Sequence, residues 1–180
     1  MKFSSCCLPI DLARPTRCPK CHAASKPVGK PYIVLGHGMR LRRFVVMTYL
    51  ESVEIRIRRF RCRLCGVTIT VLPSDAVPRR CYTRPVIVFA LAMWTSMTAV
   101  EVRHQVAVVS SDNSSWPQLR VWANASWPEL GPLPRGPPKT RAQAIGQAFA
   151  GRAPPELKPI GITEAAIEGA RNLRGFARQV

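Results

Sequence analysis

At 180 residues, 47% of them hydrophobic, the chain has room for one ordinary domain or two small modules, which excludes both a large multidomain enzyme and a wholly disordered protein. Its 27 Lys and Arg against 10 Asp and Glu leave a formal net charge of +17, so carboxylates for acid–base chemistry are scarce and a polyanion is the expected partner. The 17 prolines and 11 glycines are unevenly spread, which points to folded modules joined by a looser segment.

Residues 1–14 read as an N-terminal tail. The tail has no apolar stretch of secretory-leader type, so a cytoplasmic location is expected, at the nucleoid if the chain binds DNA. Cys6 and Cys7 are adjacent in this polar stretch and are expected to ligate nothing. Residues 15–80 carry a different pattern. Cys18 and Cys21 form one CxxC and Cys62 and Cys65 a second. In a reducing compartment disulfides are rare and paired thiols bind metal, so two such pairs supply the four thiolates of one tetrahedral structural zinc site. The backbone must fold back after each pair, which asks for positive φ at Gly66 and, less comfortably, at His22. Cys18-Pro19-Lys20-Cys21-His22 also spells the attachment motif of c-type haem. That reading requires export and leaves the second pair without a role. Cys81 is expected to be a small buried residue rather than a fifth ligand.

Between the pairs the residues predict strands, with a turn around Gly36-His37-Gly38. Val53, Ile55 and Ile57 alternate with Glu54, Arg56 and Arg58 to give one buried and one charged face. Arg56, Arg58, Arg59, Arg61 and Arg63 make the outer face strongly positive. The β-branched run from Val67 to Leu72 predicts a closing strand, and Pro73 and Pro78 bracket a turn before Arg79 and Arg80. This is the outline of a zinc ribbon.

Residues 81–126 predict a helical module. One buried helix starts near Pro85 and runs to about Ser96, and the uncharged run ending at Val100 is too short and too interrupted to span a membrane. Thr98-Ala99-Val100-Glu101 is a capping box that opens a second helix to about Val108. Ser110 to Ser115 form a polar turn. Ser114 or Ser115 then caps a third helix with Pro117 in its first turn, Leu119 and Trp122 inward, and Gln118, Arg120 and Asn124 outward. Three helices so arranged describe a helix-turn-helix. Residues 127–180 open with Pro128, Pro132, Pro134, Pro137 and Pro138, a stiff linker. The segments Thr140–Ala150 and Thr163–Ala177 follow as short helices too poor in large apolar residues for a core, read as weakly ordered or partner-binding. No internal repeat is visible.

Cys18-Pro-Lys-Cys21, the stretch from Ile57 through Cys62, Cys65 and Gly66 to Thr68, then Val71-Leu72-Pro73 and Pro78-Arg79-Arg80-Cys81-Tyr82, resemble a transposase-type zinc ribbon followed by a helix-turn-helix. In detail they resemble the bacterial domain-of-unknown-function family 6431. The likeness runs over roughly residues 15–125 and implies Cys18, Cys21, Cys62 and Cys65 as zinc ligands, with Tyr82 opening the helical DNA-binding part. The chain departs from that pattern in the long, glycine-free turn from Val108 to Ser115 and in Pro117, where relatives tend to place Ser or Thr.

The overall expectation is an α+β chain that binds one structural Zn2+ and DNA. Arg56, Arg58, Arg59, Arg61, Arg63, Arg79 and Arg80 contact phosphates, and Gln118, Arg120 and Asn124 contact bases. An RNA- or protein-binding ribbon whose Pro-rich C-terminal region recruits a protein partner, or the remnant of a longer transposase, is the alternative. Catalysis is not expected: Asp112, Glu129, Glu156, Glu164 and Glu168 are not framed by sheet-forming sequence that would gather two metals.

Overall fold

β-Branched and aromatic residues at alternating positions form the three-stranded sheet that the sequence requires, in the order β1-β2-β3. The computed structural model describes residues 10–47, 50–73, 75–77, 80–106, 116–153 and 161–171. After a single helical turn, α1 (Ile10–Ala13), come β1 (Val34–Val46), β2 (Glu51–Cys62) and β3 (Thr68–Val71). The connection from β1 to β2 is too short for a crossover, so the two strands pair antiparallel, as do β2 and β3. Phe60 lies opposite Ile69, with Arg58 opposite Val71, Arg59 opposite Thr70 and Arg61 opposite Thr68. The turn expected at Gly36-His37-Gly38 is not formed, because β1 runs through it. Gly38 has φ of 81°, and one left-handed residue bends a strand without reversing it. The reversal falls instead just before β2, where Leu50 adopts φ of 50°.

Two compact units are present. The first comprises residues 10–44 and 53–81. One cluster of its core joins Val34, Phe60 and Ile69 to Ala13, Cys18 and Cys62, with Ile33, Cys65, Val67 and Val71 packed around them, and Phe44, Ile57 and Leu72 are buried elsewhere in the unit. The fold therefore takes in α1, inside the stretch expected to be a tail. Arg14 fixes that end: its guanidinium lies 3.8 Å over the Tyr32 ring, donates to the Val34 carbonyl at 2.6 Å and pairs with Asp11 at 3.0 Å. The alternation along β2 also changes face. Ile57 and Phe60 are both buried although three residues apart, so each side of the strand is covered at a different point along its length.

The second unit comprises residues 45–52 and 82–171. Helix α2 (Arg84–Trp94) is buried on nearly every side, with Thr83 at its N-cap position and Pro85 in its first turn. The Thr83 amide and hydroxyl both donate to the Val45 carbonyl, at 3.1 and 3.2 Å. The capping box forms as expected at α3 (Ala99–Val106): the Thr98 amide donates to Glu101 Oε2 at 2.7 Å and the Glu101 amide to Thr98 Oγ1 at 3.3 Å. Helix α4 spans Gln118–Asn124, so Pro117 stands at its N-cap position rather than within its first turn. Ser114 and Ser115, the expected caps, lie outside the described residues.

The segment after Trp127 differs from expectation. Trp127 is buried, donates from Nε1 to the Trp122 carbonyl at 3.1 Å and meets Phe149 edge-on at 5.6 Å. Helices α5 (Pro138–Ala150) and α6 (Ile162–Arg171) pack against α2 and against each other. Small residues make this possible. Gly146 lies against Ala92, Ala165, Ala166 and Ala170 are buried, and a Cβ at Gly169 would collide with the Phe149 carbonyl. Close backbone approach thus replaces the large side chains that a tally of apolar residues looks for. Arg84 and Glu129 form a buried ion pair at 3.2 Å, and Arg141 donates to the Ala123 carbonyl at 3.0 Å. Among the described residues no helix is long and apolar enough to cross a membrane.

Candidate metal centre and nucleic-acid interface

The two CxxC segments fold into matching knuckles. In each, the amide of the residue after the second Cys donates to the carbonyl of the first: His22 to Cys18 and Gly66 to Cys62, both at 2.9 Å. The amide of the first Cys in turn donates to the carbonyl five residues on, Cys18 to Ala23 at 2.9 Å and Cys62 to Val67 at 3.0 Å. His22 and Gly66 sit in the left-handed region with φ of 57° and 70°, as the fold-back demands. The residues flanking the knuckles pair alike, Arg17 with Ala24 and Arg61 with Thr68. The two knuckles therefore repeat a backbone pattern that the side chains hide outside the cysteines.

Folding brings the four thiols together. All four sulfurs lie within 4.8 Å of one another, with Cys18 Sγ 3.5 Å from Cys65 Sγ and Cys21 Sγ 3.7 Å from Cys62 Sγ. Both separations are far longer than a disulfide bond of about 2.05 Å. Each short contact joins one knuckle to the other, so a shared ion would tie the two CxxC segments together. This group could hold a metal ion. Cys18 and Cys62 are buried in the core of the first unit, Cys65 is half-buried and Cys21 faces solvent. Burial pushes the Cys18 thiol up, but hydrogen bonds from the Cys21 and Lys20 amides and from the Cys21 and Cys65 thiols outweigh it and lower it to about 6. At Cys21 the Ala23 amide acts downward, yet burial and the three neighbouring thiols prevail and raise it to about 11. Cys81, expected to be buried, is exposed and stands outside the cluster. Cys6 and Cys7 lie outside the described residues.

The arginines beside the cluster do not share one face. The register puts Arg58 on the side of Phe60 and Ile69, and Arg59 and Arg61 on the opposite side with Thr68 and Thr70; Arg58 and Arg59 are both half-buried and Arg61 is exposed. Arg56 is exposed on β2, and Arg63 is exposed in the knuckle turn. The sheet face turned away from the core thus carries Arg59 and Arg61 on β2 and, by the same alternation from buried Val34, Leu35 and His37 on β1. His37 was not singled out from sequence, although its place two residues after an outward Leu35 is readable once Val34 is known to be inward. Arg80 is half-buried, and its carbonyl accepts from Arg42 at 2.9 Å. Arg79 lies outside the described residues.

On α4, Leu119 and Trp122 are buried as expected, and Trp122 meets Tyr82 and Trp116 edge-on at 5.0 and 5.1 Å. Arg120 and Asn124, one helical turn apart, are exposed. Gln118 is half-buried, one turn before Trp122, so it belongs to the inward side and does not join them. Arg120 borders an open groove of about 670 Å³ with Trp94, Trp116, Pro117, Pro138 and Lys139. No protein-family model, curated protein or solved structure matches this chain.

Proposed function

We propose that this chain is a zinc-stabilised DNA-binding protein, akin to the N-terminal DNA-recognition part of bacterial transposases and without a catalytic core of its own. The observation that carries this reading is a four-sulfur cluster set at the end of a strand that bears half-buried Arg59 and exposed Arg61 on one side, with exposed Arg63 in the adjoining turn. Zinc fits the sulfurs. A tetrahedron with Zn–S of about 2.3 Å has edges of about 3.8 Å, close to the 3.5 and 3.7 Å separations, and a closed thiolate set with no open position is the mark of a structural ion. Such an ion would hold the ribbon ends together, and the protein's own residues would do the binding.

Phosphate contacts fall to exposed Arg56, Arg61 and Arg63 and to half-buried Arg59, since guanidinium stays charged and meets phosphate oxygens bidentately. Arg120 and Asn124 on α4 are the residues for base edges, Arg with guanine and Asn with adenine. The deciding experiment is a salt titration of duplex binding. The double variant Arg59→Ala, Arg61→Ala should bind every duplex more weakly and lose roughly one unit of log–log salt slope per contact removed. An unchanged slope would show that these arginines are merely solvated. Stronger binding to single-stranded RNA than to duplex DNA in direct competition would establish the RNA-binding alternative instead.

A further inference from the structure

A hollow of about 380 Å³ opens beside the second knuckle, lined by Leu35, Gly36, His37, Arg61, Cys62, Arg63 and Gly66. We propose that it seats a single phosphate group, with Arg61 and Arg63 as the charged donors and His37 as a third. The inference rests on the nucleic-acid reading only for the source of the phosphate. Three chain segments converge on the hollow: the start of β1, the end of β2 and the knuckle turn. Its lining contains no carboxylate, in contrast with Arg43 farther along β1, whose guanidinium is taken up by Glu54 at 3.1 Å.

The backbone beneath the two arginines is fixed. Arg61 is paired with Thr68 in the ladder, and the Arg63 amide donates to the Ile33 carbonyl at 3.0 Å. Two planar, permanently charged forks on fixed stems lose less freedom on binding an oxyanion than two arginines on a loop would. The wall at Gly66 is low, because a Cβ there would meet nothing within 4 Å, whereas one on Gly36 would run into the Ile10 side chain. The amides of Cys62 and Gly66 are already spent inside the knuckle, so the donors must be side chains. A tetrahedral oxyanion with several acceptor oxygens suits three converging donors. In a nucleic acid the seat would position the backbone and read no sequence.

The test uses the full chain with its metal bound. Titration with inorganic phosphate, followed by amide and arginine Nε–H NMR signals, should give saturable shifts confined to Gly36, His37, Arg61, Arg63 and Gly66, with Gly29 unmoved. Arg63→Ala should abolish saturation, while Lys30→Ala keeps it. Arg61→Lys, which retains the charge but not the fork, should weaken phosphate binding roughly tenfold or more. Metal content and the Gly66 amide position report that each variant keeps its fold. Shifts that spread without saturating over all basic residues, or an Arg63→Ala titration like that of Lys30→Ala, overturn the seat. A random-sequence duplex, titrated alongside, separates the two ideas. Saturable phosphate binding without duplex binding keeps the seat and removes the DNA reading, whereas duplex binding with no effect of Arg63→Ala or Arg61→Lys keeps the DNA reading and removes the seat.

Discussion

Withdrawing the proposed zinc is the perturbation whose outcome the structure bounds most tightly. The cluster of the first unit that contains the cysteines has three large side chains that are fully buried, Val34, Phe60 and Ile69, each contributing about 1.5–3 kcal/mol through burial, while Phe44, Ile57 and Leu72 are buried elsewhere in the same unit. The cluster's remaining buried members are Ala13 and the ligands Cys18 and Cys62 themselves. A structural zinc site contributes about 10–16 kcal/mol of apparent binding energy, as large as the whole stability of about 5–15 kcal/mol of an ordinary domain. A strong chelator, or Cys62→Ser, should therefore unfold the first unit at room temperature. The helical unit provides an internal control. All four tryptophans, Trp94, Trp116, Trp122 and Trp127, belong to it, so indole emission reports on that unit alone. The expected result is collapse of the dispersed amide signals of Gly38, Phe60, Gly66 and Ile69, with tryptophan emission unchanged, and one zinc per chain lost in native mass spectrometry. Cys81→Ser should alter neither. Retention of those amide signals in the chelated protein, or equal zinc in the parent and Cys62→Ser, would refute the reasoning.

Three further outcomes follow from single residues. Gly66→Ala should destabilise the metal-bound ribbon by about 1–2 kcal/mol, because φ of 70° is strained for a residue with a Cβ while the space around it is open; His22→Gly, relieving the equivalent strain at φ of 57°, should stabilise it, and chemical denaturation reads both. Trp122→Ala should cost about 3–5 kcal/mol by emptying the site between Tyr82 and Trp116, visible as a lowered melting temperature of the helical unit. Arg120→Ala should leave that temperature alone and weaken binding to a preferred duplex by about 1–3 kcal/mol. Hydrogen bonds from the Thr98 amide and hydroxyl hold the Glu101 carboxyl below the usual carboxylate range, so the capping box contributes while Glu101 is ionised and is lost as pH falls through that lowered value. The Thr98 amide shift should follow the same acidic titration, and Thr98→Ala should bring the Glu101 transition back up toward the ordinary range.

The sequence by itself determined whatever depends on local chemistry. Paired cysteines could be read as one four-sulfur site because a CxxC knuckle is a short, self-contained backbone device, and Gly66 announced its own positive φ. The capping box and the proline in the first turn of α2 were legible for the same reason, since each satisfies helix-terminal groups within four residues. What lay beyond local chemistry was decided by packing. Period two by itself puts Arg58 and Arg59 on opposite faces, but the phase change between Ile57 and Phe60 was not legible, because which face of a strand is covered depends on what lies over it. Gly38 could not be told from a turn residue, since a bend and a reversal draw on the same conformational freedom. The C-terminal helices were the largest surprise: their cores are built from Ala165, Ala166, Gly169 and Ala170 against Phe149 and α2. Small residues stabilise a helix pair only through the close approach they permit, and that approach exists only once the partner helix is in place.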